Sequence, residues 1–300
     1  VEQKSVWQLI YDMKPEEVVQ LIDFRYLTDA LTKEEAFNIL AKASVSKQER
    51  YNLLINEGYP SYTTSAGWLG YPDEKLRKLC IKAIKAGFTH VKFKVGRDLQ
   101  DDIRRLKIAR EVLGNQVQLM IDANQVWEVN QAIEWVNKLQ FASPFFIEEP
   151  TSPDDVIGHK TIKNGVFPIK VATGEMCQNR IIFKQFIKED AIDIIQIDSC
   201  RMGGLNEVLA VMIMAEKYKK PVWPHAGGVG LCEYVQHISM IDYLLISCEK
   251  NSKRIEYVDH LHEHFLNPCK IVNGNYMAPF DPGFSIEMKS STLNDFLFKS

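Results

Sequence analysis

The chain lacks the long apolar run, the strong net charge and the paired cysteines that mark several common protein classes. No stretch of 18 apolar residues occurs among its 300 residues, so no transmembrane helix is expected. The formal net charge of −3 gives no basis for binding nucleic acid or an anionic membrane. The first residues show neither a secretory signal nor an Arg-rich transit pattern, so no targeting segment is predicted.

The cysteines and the clustered histidines give only weak signals for a metal site. No Cys-x-x-Cys motif occurs, which argues against a zinc site and favours reduced, mostly buried thiols at Cys80, Cys177, Cys200, Cys232, Cys248 and Cys269. His260, His262 and His264 alternate along one segment. Because alternating histidines are a weak cue for a transition metal, we interpret this segment as the polar rim of a loop.

Three regions with different sequence patterns follow one another along the chain. Residues 1–58 have helical patterns, and the pairs Thr32/Glu35 and Ser46/Glu49 have the spacing of capping boxes. Residues 59–266 alternate between short apolar strands and helical stretches. Residues 267–300 have the Asn, Pro and Gly content of irregular structure.

The alternating region predicts a parallel sheet whose strands are joined by helices. Strands are predicted at 61–65, 89–95, 117–122, 145–149, 169–173, 192–197, 221–224 and 254–258. Helices are predicted at 73–86, 98–112, 128–139, 154–164, 178–188, 203–218 and 230–246, the first with Asp73 as its N-cap. Such units fold right-handed, and eight of them favour a closed α/β barrel. An open doubly wound sheet is the alternative, but no glycine-rich phosphate loop follows the first strand.

Acidic residues end three successive predicted strands at nearly equal spacing. Asp122 and Glu148 are 26 residues apart, and Glu148 and Glu175 are 27 apart. A single acid at such a position is most often a helix N-cap. Three of them at the same ends of adjacent parallel strands should instead converge on one face of a barrel. Their oxygen ligands suit Mg²⁺, which prefers hard donors.

Basic and acidic residues at the other strand ends extend this set. Lys92 and Lys94 should both point into the barrel because side chains alternate along a strand. Asp198 and His225 end the sixth and seventh strands, and Glu256 lies on the eighth. A neighbouring cation and Lys92 should lower the pKa of Lys94 and make it a base. Asp198 can hold His225 as an imidazolium acid.

The same residues form motifs that resemble the mandelate racemase branch of the enolase superfamily. The motifs are Lys92-Phe93-Lys94, Asp122-Ala123-Asn124, Glu148-Glu149-Pro150, Gly174-Glu175, Asp198 before Gly203-Gly204, His225 and the tail Pro279–Glu287. Within this branch, residues 22–26 and 260–264 resemble L-fuconate dehydratases. The resemblance covers nearly the whole chain.

The resemblance implies a modified (β/α)₇β barrel, an α/β fold of the TIM-barrel type, at residues 59–266. It implies one Mg²⁺ per active site held by Asp122, Glu148 and Glu175, with Lys94 as base and His225, paired with Asp198, as acid. It also implies that the substrate is a sugar acid contacted by Lys92, Asn124 and Glu256. Trp68, after the first strand, is either a further substrate contact or part of a packed loop.

By the same resemblance, residues 1–58 are the helical remnant of an N-terminal capping domain, and residues 267–300 pack back towards it. The implied reaction is dehydration of L-fuconate to 2-keto-3-deoxy-L-fuconate. A racemase or epimerase, and a truncated, catalytically poor form with a regulatory or interaction role, are the alternatives. The resemblance points to mitochondria, with a cytoplasmic location open, and leaves a homo-oligomer open.

Overall fold

The structure is a computed structural model that describes residues 2–298. Four α-helices come first, seven lie in the region that contains the parallel strands, and one lies near the end of the described chain. In chain order they are α1 (Val6–Asp12), α2 (Pro15–Gln20), α3 (Lys33–Ser44), α4 (Lys47–Glu57), α5 (Asp73–Lys85), α6 (Leu99–Leu113), α7 (Val129–Lys138), α8 (Val156–Val166), α9 (Arg180–Lys188), α10 (Leu205–Lys217), α11 (Leu231–Leu245) and α12 (Ser290–Asp295). None of these helices is long and apolar enough to cross a membrane.

Seven parallel strands form the main sheet, and each pairs with the next along the chain up to the sixth. The last of the seven, β7, pairs with β1, so the sheet curls back on itself. The strands are β1 (Tyr59–Gly67), β2 (His90–Lys94), β3 (Gln118–Asp122), β4 (Phe146–Glu148), β5 (Lys170–Thr173), β6 (Ile194–Ile195) and β7 (Ile255–Tyr257). This α/β architecture is the predicted TIM-barrel type rather than an open sheet.

The strand predicted at 221–224 is wrong as a regular strand, although this segment fills the gap between β6 and β7. It forms one parallel bridge, Ile195 with Val222. Backbone hydrogen bonds run from Trp223 N to Ile195 O at 2.8 Å and from Glu256 N to Pro224 O at 3.3 Å. Pro221 and Pro224 have no N–H to donate, so a continuous ladder cannot form here.

A β-hairpin in the C-terminal region was not predicted from the sequence. β8 (Ile271–Val272) and β9 (Asn275–Tyr276) are antiparallel, and β9 also pairs antiparallel with β1. The two turn residues, Asn273 and Gly274, have φ of 48° and 72°. An Asn-Gly pair with both φ values positive is the preferred two-residue hairpin turn, so the signal was present in the sequence.

The predicted helix caps have mixed outcomes. The capping box of Thr32 and Glu35 is confirmed, with Glu35 N donating to Thr32 Oγ1 at 3.2 Å. Ser46 does not cap α4, because its hydroxyl oxygen instead accepts from Arg50 at 3.0 Å. Asp73 is the first residue of α5 rather than its N-cap, since the extended residue before the helix is Pro72.

The first helices and the C-terminal region meet at one side of the barrel. Helix α1 packs on α11, and Trp7 is fully buried. The Trp7 indole N–H donates to Pro279 O at 2.6 Å, and its ring lies 5.8 Å from that of Phe280. Backbone bonds join Val6 N to Gly283 O and Gly283 N to Lys4 O. The division of the chain into a capping-domain remnant and a barrel stays a prediction.

The cysteines are free thiols within the described chain, as predicted, but the expectation of mostly buried thiols is wrong for half of them. Cys80, Cys177 and Cys232 are buried. Cys200 and Cys248 are exposed, and Cys269 is intermediate, because all three lie in loops where packing is incomplete.

Candidate active site

The barrel interior has an apolar layer with a charged layer directly above it. One inward side chain from most strands forms the apolar layer, in which the buried members are Tyr62, Met120, Phe146, Ala172, Ile194 and Trp223. Side chains alternate along a strand, so the residue two positions further on faces the same interior. That step leads from Met120 to Asp122 and from Phe146 to Glu148. The polar residues therefore collect at the carboxyl ends of the strands, where barrels of this type carry their sites.

Lys92 lies at the centre of the charged layer and is fully buried. Its Nζ is 2.6 Å from Glu148 Oε1, 3.1 Å from Glu256 Oε1 and 3.3 Å from Asp122 Oδ2. Burial alone would lower the pKa of Lys92, but the surrounding carboxylates raise it well above its ordinary value. Lys92 is therefore a fixed cation shared by three carboxylates.

The carboxylates around Lys92 respond differently to burial and to their neighbours. Burial and the adjoining Asp122 raise the pKa of Glu148 well above its usual value. Burial also opposes ionisation of Asp122, but Lys92 and Lys94 outweigh it and lower its pKa. For Glu256 the effect of burial is again outweighed, here by Lys92 and His225, and its pKa falls. The lysines thus favour the ionised forms of Asp122 and Glu256, whereas Glu148 favours its protonated form.

Lys94 lies at the mouth of the barrel with its Nζ 2.5 Å from Asp122 Oδ2. Burial tends to lower the pKa of this amine, as does Lys92, but the Asp122 carboxylate raises it above 10.5. The predicted lowering of the Lys94 pKa assumed a neighbouring metal cation as well as Lys92, and it stays a prediction. With the protein's own charges alone, the carboxylate on the adjacent strand outweighs Lys92 and burial.

His225 and Asp198 form a hydrogen-bonded pair on another side of the barrel mouth. His225 Nδ1 lies 2.8 Å from Asp198 Oδ2, and its Nε2 lies 3.4 Å from Glu175 Oε2 and 3.7 Å from Glu256 Oε2. Burial lowers the pKa of His225, but the Asp198 hydrogen bond and the two glutamates raise it to about 9. A pKa of about 9 favours the protonated imidazole near neutral pH. Nε2 accepts from the Gly227 N–H at 3.1 Å, so proton donation from Nε2 requires this contact to open.

The three predicted metal ligands share the barrel mouth but do not form a closed cluster. Asp122 and Glu148 pair across adjacent strands, and both contact Lys92. Glu175 follows β5 and faces His225 instead. Within residues 2–298, the oxygen atoms of these three side chains do not all lie within 4.8 Å of one another. Their donor set nevertheless consists only of carboxylate oxygens, which suits Mg²⁺ better than zinc.

Two of the predicted substrate contacts border the mouth without joining the charged network through their side chains. The Asn124 backbone N–H donates to Asp122 Oδ1 at 2.9 Å, and its own side chain is exposed. Trp68 is 37% exposed, and the Lys94 Nζ lies 5.6 Å from the centre of its ring. Both side chains are exposed to solvent.

Three polar residues of the site were given no role from the sequence. Gln196 Nε2 donates to Glu148 Oε2 at 2.6 Å, and Thr64 Oγ1 donates to Glu256 Oε1 at 2.5 Å. Glu149 accepts a bond from Gln125, and burial with the nearby Glu175 raises its pKa to about 7. Gln196 lies two residues before Asp198, so strand alternation could have identified it.

A family model described as "Enolase C-terminal domain-like" matches residues 75–292. The chain belongs to the enolase superfamily. It is 52% identical to human mitochondrial enolase superfamily member 1 over 97% of its own length. The crystal structure of that protein superimposes with a TM-score of 0.95 over the same share of the chain.

Other relatives in the superfamily are named for reactions of sugar acids. L-Galactonate dehydratase of Hypocrea jecorina is 53% identical over 98% of this chain. The L-talarate dehydratase of Polaromonas, solved with Mg and L-glucarate, is 24% identical with a TM-score of 0.71 over 94% of this chain and 79% of its own, a likeness of fold. The chain spans 66% of the length of the human and Hypocrea proteins.

Proposed function

We propose that this protein is a Mg²⁺-dependent hydro-lyase that dehydrates a sugar acid, and that L-fuconate is its substrate. The observation that carries the proposal is the 2.8 Å pair of His225 with Asp198 beside a carboxylate-rich barrel mouth that also holds Lys94. The dehydratase names of the relatives support the same class of reaction. Relatives named mitochondrial likewise support a mitochondrial location.

Asp122, Glu148 and Glu175 would hold the Mg²⁺ ion. When bound, Mg²⁺ supplies positive charge that stabilises the enediolate form of a substrate carboxylate. Occupation of Asp122 by a cation would also weaken its hold on Lys94, whose amine must be neutral to accept a proton. Lys92 and Asn124 would orient the substrate carboxylate, while Glu256 and Trp68 would contact the sugar chain.

In the proposed reaction, the Lys94 amine takes the proton from C2 of the substrate. The electrons of the C2–H bond first pass into an enediolate of the substrate carboxylate, and they return to form the C2–C3 double bond when the C3–O bond breaks. His225 gives its Nε2 proton to the departing hydroxyl, which leaves as water, and Asp198 stabilises the imidazolium beforehand. The resulting enol tautomerises to a 2-keto-3-deoxy sugar acid.

Isotope exchange in D₂O tests these separate roles. With L-fuconate and Mg²⁺, we expect the unchanged protein to form a 2-keto acid. Replacing Lys94 by Ala should abolish both the product and deuterium exchange at C2, because no group then removes the proton. His225→Asn should retain exchange at C2 but lose dehydration.

Two outcomes would contradict the proposal. Turnover that survives Lys94→Ala would exclude the assigned base. Deuterium at C2 with inversion and no keto product would indicate a racemase instead. L-Galactonate should be assayed in parallel, because the Hypocrea relative is 53% identical and is named for that substrate. A 2-keto acid formed from L-galactonate but not from L-fuconate would support the dehydration reaction and replace L-fuconate by L-galactonate as the proposed substrate.

A further inference from the structure

A second group of metal-ligating side chains lies between α11 and the chain that follows β7. Glu233 belongs to the first turn of α11, His262 to a short 3₁₀ turn, and Cys269 to the loop before β8. One ligand atom from each side chain lies within 4.8 Å of the other two. None of these residues takes part in the proposed dehydration.

One distance within this group is near that between two ligands of a tetrahedral zinc site, and a second is shorter. His262 Nδ1 is 3.7 Å from Cys269 Sγ. With Zn–N and Zn–S bonds of about 2.0 and 2.3 Å, two tetrahedral ligands are about 3.5 Å apart. His262 Nδ1 is 2.6 Å from Glu233 Oε1, which is a hydrogen bond, so a cation would displace the proton between them.

The glutamate provides an independent sign that a ligand belongs here. Glu233 is 1% exposed, and its Oε2 is buried with no hydrogen-bond partner among the described residues. An unpartnered buried carboxylate oxygen is costly, and coordination of a cation would satisfy it.

The histidine ring is already held in the orientation that a metal ligand requires. Its Nε2 lies 2.9 Å from the backbone oxygen of Val258, and Tyr257 stacks on the ring at 5.3 Å. A ligating histidine commonly donates its second ring N–H to a backbone carbonyl, which directs the other nitrogen at the metal.

A buried cysteine and a cavity lie beside this group. Cys232 precedes Glu233 on α11 and lies next to Cys269, and its thiol donates to the backbone oxygen of Ala226 at 3.7 Å. A cavity of about 310 Å³ opens onto Cys269 and is lined also by Asn267, Met277 and other residues of the C-terminal region. Thiolate and imidazole ligands select zinc over Mg²⁺.

We propose that Glu233, His262 and Cys269 bind a Zn²⁺ ion, to which Glu233 can offer both carboxylate oxygens. The ion would tie the start of α11 to the loop that leads into the β8–β9 hairpin. Its role would therefore be structural, and it would be independent of the carboxylate site in the barrel.

Metal titration of the whole chain tests this proposal. Protein stripped with a chelator and kept reduced should take up one equivalent of Zn²⁺ in competition with a chromogenic chelator. Cys269→Ser should weaken this binding by more than about a hundredfold, since even groups that only support a ligand contribute tenfold to a hundredfold. Cys200→Ser, at an exposed cysteine, should leave it unchanged.

Cobalt provides a second measurement that needs no substitution. Co²⁺ bound to the unchanged protein should show the intense near-ultraviolet absorption of a thiolate–cobalt bond, and Zn²⁺ should abolish it. Absence of this band would overturn the proposal, as would equal losses of Zn²⁺ binding in Cys269→Ser and Cys200→Ser. A Cys232–Cys269 disulfide that persists under reducing conditions would also overturn it and indicate a redox pair.

Discussion

Replacing Lys92 by Met tests the charge balance of the barrel mouth through stability. Lys92 is fully buried, and its Nζ lies within 3.3 Å of three carboxylates. Removing one partner of a buried ion pair costs about 3–5 kcal/mol because it leaves an uncompensated charge. Because three carboxylates lose their shared cation, a larger cost would be expected. Glu148 has a raised pKa, however, and can take up a proton, which removes one of the three negative charges. We therefore expect a loss of about 3–5 kcal/mol in the free energy of unfolding.

The pH dependence of this loss has a defined sign. The pKa of Glu148 in the folded protein lies above its unfolded value, so ionising it costs stability as pH rises through the folded pKa. Without Lys92 that pKa rises further. The deficit of Lys92→Met should therefore be smaller in mild acid than in mild base.

Mg²⁺ should restore part of this stability. A ligand at one hundred times its dissociation constant stabilises the folded state by about 2.7 kcal/mol. Lys92→Met should gain more than the unchanged protein at equal Mg²⁺ because it lacks the competing cation. Urea unfolding followed by far-ultraviolet circular dichroism, with and without Mg²⁺ at constant ionic strength, measures both the loss of unfolding free energy and the gain from Mg²⁺.

The matched control is Lys253→Met. Lys253 is also buried, and its Nζ lies 2.5 Å from Asp242, away from the carboxylate site. The Lys253→Met variant should lose a similar amount of unfolding free energy, but Mg²⁺ should stabilise it only as much as it stabilises the unchanged protein. The reasoning fails if Lys92→Met loses less than about 1 kcal/mol, the typical effect of an ordinary substitution. It fails equally if Mg²⁺ stabilises both variants to the same extent.

Three further predictions concern other parts of the structure. Trp7→Ala should lose about 3–5 kcal/mol in urea unfolding and expose the chain near Pro279 to proteolysis, while Trp7→Phe should lose less; unchanged proteolysis would contradict this. Burial lowers the pKa of His237 to about 4, so stability should fall as pH drops from about 6.5 to 4, and His237→Gln should flatten that slope in acid unfolding. Arg105 donates to the backbone oxygens of Lys94, Gly67 and Trp68, so Arg105→Met should lower 2-keto acid formation from L-fuconate with little change in KM; an unchanged kcat would refute this.

Most of the barrel was predictable because its determinants are local in the sequence. Apolar strands and amphipathic helices alternate with a regular spacing, and strand alternation alone places Lys92, Asp122 and Glu148 on the inner surface. The segment at 221–224 was harder because the hydrogen-bonding capacity of two prolines, rather than hydropathy, decides its form.

Features that depend on contacts between distant segments could not be read from spacing. The pKa of Lys94 depends on the balance between Lys92, which lowers it, and Asp122 at 2.5 Å, which raises it, and sequence spacing does not show this balance. The prediction of a polar loop rim at 260–264 missed the packing of His262 against Glu233 and Cys269. These three residues are up to 36 positions apart, and only the folded chain brings them together.

The pairing of β7 with β1 has a consequence for the order in which the protein is made. Synthesis proceeds from the N-terminus, so residues 61–63 of β1 can pair with β7 only after residues 255–257 have emerged from the ribosome. Until then, Glu256 is missing from the carboxylates around Lys92, and β1 has an open edge. A nascent chain therefore holds most of the barrel before it holds a complete site, and this interval is the one in which chaperone binding would matter most.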